Sequence, residues 1–358
     1  MKKFISFTVV LALVTSISQA QGTLSAPGGM APEGTSLGAN DTIAYNGIAL
    51  GNRVKMRGFV DFTYTYGEME GLDDKRFSTE SDVDFLFDFS PVTGEAHIAF
   101  NPNPSAGVDQ VTLEQAFARY SFNQDFNLSF GRQLTNLGYD GDERTDLKTV
   151  STAYMNDALI EHPAFASVSG AFMKMRRNYK DGLRANFNNG MFGLSFGVHD
   201  GYFTSDDFND NVAIDLAASV MIVPGLEARI GYAHQEVADD AYQMFNTWIE
   251  YNPGDLTLAL EFDYMEDIFD TEGWDLMLMG NYQFIDWFGL TFRYSHESFD
   301  YTKLVLPDYD TNRFTLALLF GVTSYLDVKF EYSYTDVDYE GLGSMDVNEV
   351  YLQTLLRF

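Results

Sequence analysis

The sequence predicts an all-β fold: one transmembrane antiparallel β-barrel of about 16 strands, with short periplasmic turns and long acidic extracellular loops. Three observations carry this. Apolar and polar residues alternate with period two along most of the chain after Asn52. Short, turn-forming connections alternate with longer acidic ones. The last segment, VNEVYLQTLLRF, is an alternating strand that closes on Phe358. A strand with one face in lipid and one in water reads as such an alternation.

Composition narrows the functional classes. The 358 residues carry 22 Lys+Arg against 52 Asp+Glu, a net charge of -30, so no phosphate-binding basic surface is expected and nucleic acid is not an expected partner. No cysteine is present, which excludes disulfides, thiolate zinc sites and cysteine nucleophiles. Hydrophobic residues make up 46%, enough to bury or coat a folded structure.

The elements follow in order. Lys2 and Lys3, an apolar run over 4–17 and Ser18-Gln19-Ala20 form a secretory signal, 1–20. A membrane anchor is disfavoured because the apolar run falls short of the ~20 residues that span a bilayer. Removing it leaves 20 Lys+Arg against 52 acids, a charge of -32. Residues 21–51 are rich in Gly, Ala, Ser and Pro and read as a flexible periplasmic lead-in. Residues 52–358 form the barrel, and no window there is apolar enough for a spanning helix.

Within the barrel, Val54, Met56, Val60, Phe62 and Tyr64 oppose Lys55, Arg57, Asp61 and Thr63. Leu256, Leu258, Leu260, Phe262 and Tyr264 oppose Thr257, Glu261 and Asp263. Trp274, Leu276, Leu278, Tyr282 and Phe284 oppose Asp275, Asn281 and Gln283. Short turns are predicted at 90–94, 123–125, 188–190, 223–225, 252–255, 285–287 and 322–324, where Asn-Gly and Pro-Gly pairs supply hairpin chemistry. Longer connections fall at 67–81, 101–111, 133–168, 200–211, 236–241, 267–272, 299–311 and 337–346. Aromatics flank both sets, as with Tyr120, Phe122, Tyr251, Trp287 and Tyr325 at one rim and Tyr66, Tyr264, Tyr294 and Tyr332 at the other. Such girdles sit at the two interfaces of a bilayer.

An apolar face on lipid puts the polar face inside. The expected pore-lining residues are Lys55, Arg57, Asp84, Asp88, Arg119, Lys174, Arg176, Arg184, Arg229, Arg293, Arg313 and Lys329. Asp61, Asp215, Glu227, Glu261, Asp263, Asp275, Asp327 and Glu331 share that face. The expectation is a charged, hydrated lumen with no buried core, wide enough for water at sixteen strands. In the longest connection, 133–168, a short helix is expected within DLKTVSTAYMNDAL, 146–159. If this segment folds inward, Asp140, Asp142, Glu143, Asp146, Asp157 and Glu161 oppose Lys174, Arg176 and Arg184 across a constriction. If it lies on the outer surface they do not, and both placements stay open.

Three motifs are set aside. Ser195 in GLSFG sits within an alternating strand, not at the strand-turn-helix elbow of a hydrolase. The histidines form no H-x-x-x-H pair. The acidic runs 140–146 and 206–210 lack an EF-hand pattern and read as solvated loops, with a loop-bound divalent cation as the alternative. No metal or other cofactor and no catalytic residue is expected.

Three resemblances add to this reading. The closing Phe358 resembles the C-terminal signal by which barrel assembly machinery recognises bacterial outer-membrane barrels. The long connection after the fifth inferred strand resembles the inward-folding loop of general porins. The segment FGRQLTNLGYD, with Gly131, Arg132, Leu137, Gly138, Tyr139 and Asp140, resembles the OmpL-like β-barrel porins. The resemblance implies an outer-membrane porin that passes small hydrophilic solutes by diffusion, in contact with membrane lipid and lipopolysaccharide. It also implies a homotrimer, although no protomer interface is legible here. A cation preference follows from the acidic entrance. The rival readings are a structural or adhesive barrel and, behind it, a barrel lipase.

Overall fold

The computed structural model describes residues 47–69, 71–102, 110–141, 144–154, 176, 178–203, 212–237, 240–268, 270–301 and 307–358. The expected signal segment and nearly all of the lead-in lie outside the described residues.

Among the described residues, seventeen strands form one antiparallel sheet: a two-residue piece, β1 (Ile48–Ala49), and sixteen barrel strands. The first half comprises β2 (Val54–Met69), β3 (Leu72–Phe89), β4 (Val92–Phe100), β5 (Val111–Ser121), β6 (Phe126–Leu134), β7 (Tyr179–Asn188), β8 (Phe192–His199) and β9 (Ala213–Val223). The second comprises β10 (Leu226–Val237), β11 (Asp240–Tyr251), β12 (Leu256–Glu266), β13 (Thr271–Ile285), β14 (Phe288–Tyr301), β15 (Tyr309–Gly321), β16 (Leu326–Tyr339) and β17 (Gly343–Arg357). Each pairs with its sequence neighbours, and β17 closes on β2 from Val347↔Met69 to Arg357↔Phe59. Closure leaves no long unpaired edge, the condition for a sheet surrounded by lipid. Past Arg357, Gly58 and Phe358 exchange two backbone hydrogen bonds of 3.0 Å, and β1 then covers the start of β2 at Met56 and Lys55.

The alternation becomes geometry. Leu258, Leu260, Phe292, Leu316 and Leu352 are exposed on the outer face, while Asp263, Asp275, Arg293 and Glu331 are fully buried inside. That inverts a soluble protein, whose charges face outward. Tyr120, Phe122, Trp287 and Tyr325 stand exposed beside the short turns, and Tyr264 and Tyr332 toward the opposite ends of their strands.

All seven short turns form where turn chemistry places them. At the β7–β8 hairpin, Asn189 Oδ1 accepts from the amides of Met191 (3.0 Å) and Phe192 (2.8 Å), and Gly190 takes φ 84° without a Cβ penalty. The long connections differ more. Residues 67–81 are mostly strand: β2 and β3 run to within three residues of each other. The 236–241 and 337–346 segments are likewise mostly strand. Their polar composition reads as loop because a strand that outruns a bilayer has water on both faces. At 18 residues, β3 is nearly twice the ~10 needed to cross one. The expected helix over 146–159 does not form in its described part, where 144–154 is turn and bend.

Candidate permeation pathway

The barrel interior is built from inward side chains of the strands and from a strap, residues 135–141 and 144–154, which runs inside it. The described part of the long connection therefore takes the inward placement. Asn136 Nδ2 donates to Ser195 Oγ of β8 at 2.6 Å, and the Asn136 carbonyl accepts from Arg229 of β10. The Tyr139 amide donates to Glu261 of β12 at 2.6 Å and its hydroxyl to Glu250 of β11. The strap thus crosses from β8 toward β12.

Its second half is fixed to the opposite wall. Lys329 of β16 donates through Nζ to the carbonyls of Leu147 (2.8 Å), Thr149 (3.2 Å) and Arg144 (3.3 Å). Glu331, two residues along the same strand, accepts from the amides of Val150 and Ser151. Arg293 of β14 donates to Thr149 Oγ1 (2.9 Å) and to the carbonyls of Ser151 (2.9 Å) and Thr152 (2.6 Å), and pairs with Asp140 at 3.2 Å. Three charged side chains thereby satisfy a stretch of irregular backbone that has no sheet partner. Such groups are costly to bury unpaired. Burial beside acids drives the loop phenols of Tyr139 and Tyr154 well above the ordinary tyrosine range, with Glu250 next to the first and Glu261 next to the second.

The expected inward residues distribute as follows. Arg57 donates to Asp84 at 2.7 Å, and Arg119 lies 3.9 Å from Glu95. Arg184 donates to Asp215 at 3.0 Å and to the Leu134 carbonyl at 2.7 Å. Arg229 stacks over Trp248, with its guanidinium 5.9 Å from the ring centre. Arg313 pairs with Glu349 at 2.8 Å. Lys55 is half-buried at the start of β2. Asp88 accepts from the Ser90 amide at 2.9 Å, so it braces a turn. Lys174, Asp142, Glu143, Asp157 and Glu161 lie outside the described residues.

Among the described residues, Arg176 and Arg184 meet acids of the wall. Arg176 belongs to the connection before β7, not to a strand. It reaches across to Asp263 (2.9 Å) and Asp275 of the wall and lies 4.3 Å over the Tyr154 ring. Among the loop acids, Asp140 meets Arg293, while Asp146 packs against Gly141. The wall supplies both signs of charge, so the strap's partners are set by which strand it crosses.

Sequence reasoning missed two features. Arg144, within the strap, pairs with Glu80 at 2.9 Å and with Asp61 at 3.6 Å. The interior also holds apolar clusters, contrary to the expected core-free lumen. One gathers Tyr202, Phe203, Tyr242, Met244, Met265, Phe299, Tyr301 and Tyr309 near the loop-side ends of the strands. The other packs Tyr139, Tyr154 and Ala153 of the strap on Trp248, Met277 and Met279. A signal was present: Leu276-Met277-Leu278-Met279 is apolar on both faces, which a wholly wet inner wall does not require.

No family model matches the chain, and no curated protein matches it. Solved structures do. The outer membrane channel DcaP of Acinetobacter baumannii aligns with TM-score 0.64 and 15% identity, covering 88% of this chain and all of that one. OprB of Pseudomonas putida aligns with TM-score 0.62 and 13% identity, covering 86% and 94%. An anion-selective porin from Comamonas acidovorans aligns with TM-score 0.58 and 14% identity, covering 85% and 99%. At such identities the likeness establishes the fold, a sixteen-stranded porin-type barrel.

Proposed function

We propose that the protein is an outer-membrane porin that passes small hydrophilic solutes by diffusion. The observation that carries this reading is the inverted polarity of a closed barrel: an apolar, aromatic-rimmed outer face around an interior lined with paired charges. Its place is the bacterial outer membrane, reached after export and removal of 1–20, with Phe358 as the assembly signal. The strap, 135–141 and 144–154, is the narrowing element, and Arg57, Asp84, Arg119, Arg184 and Arg313 line the path beside it. The charge of -32 after export supports a cation preference, which the fold by itself does not supply, since one similar barrel is described as anion-selective. A homotrimer fits a similar barrel from Vibrio cholerae whose structure is described as a trimer form.

Planar-bilayer recording of the purified, folded protein tests the reading. Stable, ohmic channels with a reversal potential on the cation side are expected. Silent bilayers, with no swelling of liposomes in sugar solutions, would favour a structural or adhesive barrel. The buried apolar clusters inside give that second reading its observation.

A further inference from the structure

Over most of the barrel the outer face is apolar up to its aromatic rims, but β6 and β7 depart from this. Arg132 of β6 and Asp181 of β7 stand directly opposite each other and pair at 3.6 Å. Both point outward: their neighbours Gln133 and Lys180 are buried inside, while Phe130 and Leu183, two residues along on the same face, are exposed. The Asp181 side chain is 58% exposed and that of Arg132 25%.

This pair lies within the part of the wall that crosses the bilayer. β6 has 9 residues and β7 has 10, no more than the ~10 a crossing needs. Counted from the short-turn end, Arg132 is the seventh residue of β6 and Asp181 the eighth of β7. At the seventh place other strands carry Tyr232, Phe262 and Tyr294, and at the eighth Leu216, Phe314 and Val350. Among the described residues, no strand outside β5–β7 has a charge on its outer face up to that depth. A guanidinium and a carboxylate turned toward lipid are unfavourable there. The surface around them is therefore shaped for something other than lipid.

Beside the pair the wall is low in relief. Ala96, Ala116, Arg132 and Asp181 form one row of opposed residues across β4–β7, and the row nearer the short turns is Gly94, Ala118, Phe130 and Leu183. Small residues let a second backbone approach closely within a membrane. The occupant must also answer both charges. An anionic headgroup that reached Arg132 would meet the more exposed carboxylate of Asp181. A second copy of the same patch offers an acid to the base and a base to the acid.

We propose that the outer face of β4–β7 is a contact surface between copies of this chain, with Arg132 of one copy facing Asp181 of the next. This deepens the homotrimer reading by naming its surface, and rests on that reading for the number of copies.

The test is the mass of the folded full chain in detergent, read by sedimentation. The wild type is expected to assemble. Arg132→Asp and Asp181→Arg are each expected to fold, seen as heat-modifiable mobility, but to sediment as single barrels, because each sets like charges against each other. Mixing the two variants is expected to restore assembly between them, which a pair acting only within one copy cannot do. Ala116→Phe, harmless on a wall that faces lipid, is expected to lose assembly as well, and it decides the matter if a reversed variant fails to fold. A single-barrel wild type fails the homotrimer reading and the surface together. Assembly unchanged by the reversals or by Ala116→Phe overturns the surface and leaves the homotrimer standing. Reversed variants that stay apart when mixed overturn it too. So does purified lipopolysaccharide that is held by the wild type and lost from Arg132→Asp while assembly persists, which would assign the patch to a headgroup. Conductance in a planar bilayer reports on the channel separately.

Discussion

Arg293 gives five hydrogen bonds or ion contacts to the strap from a fully buried position on β14. Removing it takes a donor from the carbonyls of Ser151 and Thr152 and the cation from Asp140. Arg293→Met is expected to cost about 3–5 kcal/mol, the scale for breaking a buried ion pair, read as a lowered urea midpoint. Tyr139 makes a second residue-scale prediction. Its phenol donates to Glu250 and is raised well above 10.0, so its contribution is whole below that pH and falls as pH climbs from there through the raised value. Tyr139→Phe should reduce the loss of stability expected as pH rises above about 10, read as the urea midpoint on either side of that pH. Neither role was visible beforehand. Arg293 was legible as an inward residue from its place opposite Phe292 and Tyr294, but what it holds lies about 140 residues away in sequence.

At the scale of the element, the strap decides how much of the interior is free. Ser295 Oγ of β14 donates to the Ala153 carbonyl at 2.6 Å, and the chain has no cysteine of its own. The double variant Ala153→Cys with Ser295→Cys should form a crosslink on mild oxidation, seen as a mobility shift reversed by reductant. Failure to crosslink in the folded barrel would put the strap elsewhere. Lys329→Met with Glu331→Gln removes the anchors on β16 and should raise single-channel conductance and its noise. The sequence marked this segment by its length and position after the fifth full strand. It did not choose between inside and outside, because an irregular acidic segment is equally soluble in either place. The choice follows from Lys329, Glu331 and Arg293 standing together on β16 and β14, where they meet otherwise unpartnered backbone.

Over the whole molecule, the two faces should answer differently to charge. Leu260→Arg, on the exposed apolar face, is expected to cost about 2–4 kcal/mol if it lies near the bilayer midplane. Thr315→Arg, on the interior face, should perturb conductance more than refolding yield in lipid vesicles. A comparable cost on both faces would contradict the inverted polarity.

The period-two pattern by itself determined the antiparallel strands, their inward and outward faces and the even count, because a pleated strand between lipid and water must alternate. Turn residues such as Asn188-Asn189-Gly190 fixed one rim. Strand extensions such as 72–80 were misread as loop, since alternation fades where both faces meet water. Only the tertiary structure decided the partners across the barrel: Arg176 with Asp263 and Asp275, Arg144 with Glu80, the strap with β14 and β16. A sequence with mixed charges on one face permits many pairings. Which of them form depends on the curvature that closes β17 onto β2 and on the one path the strap takes inside it.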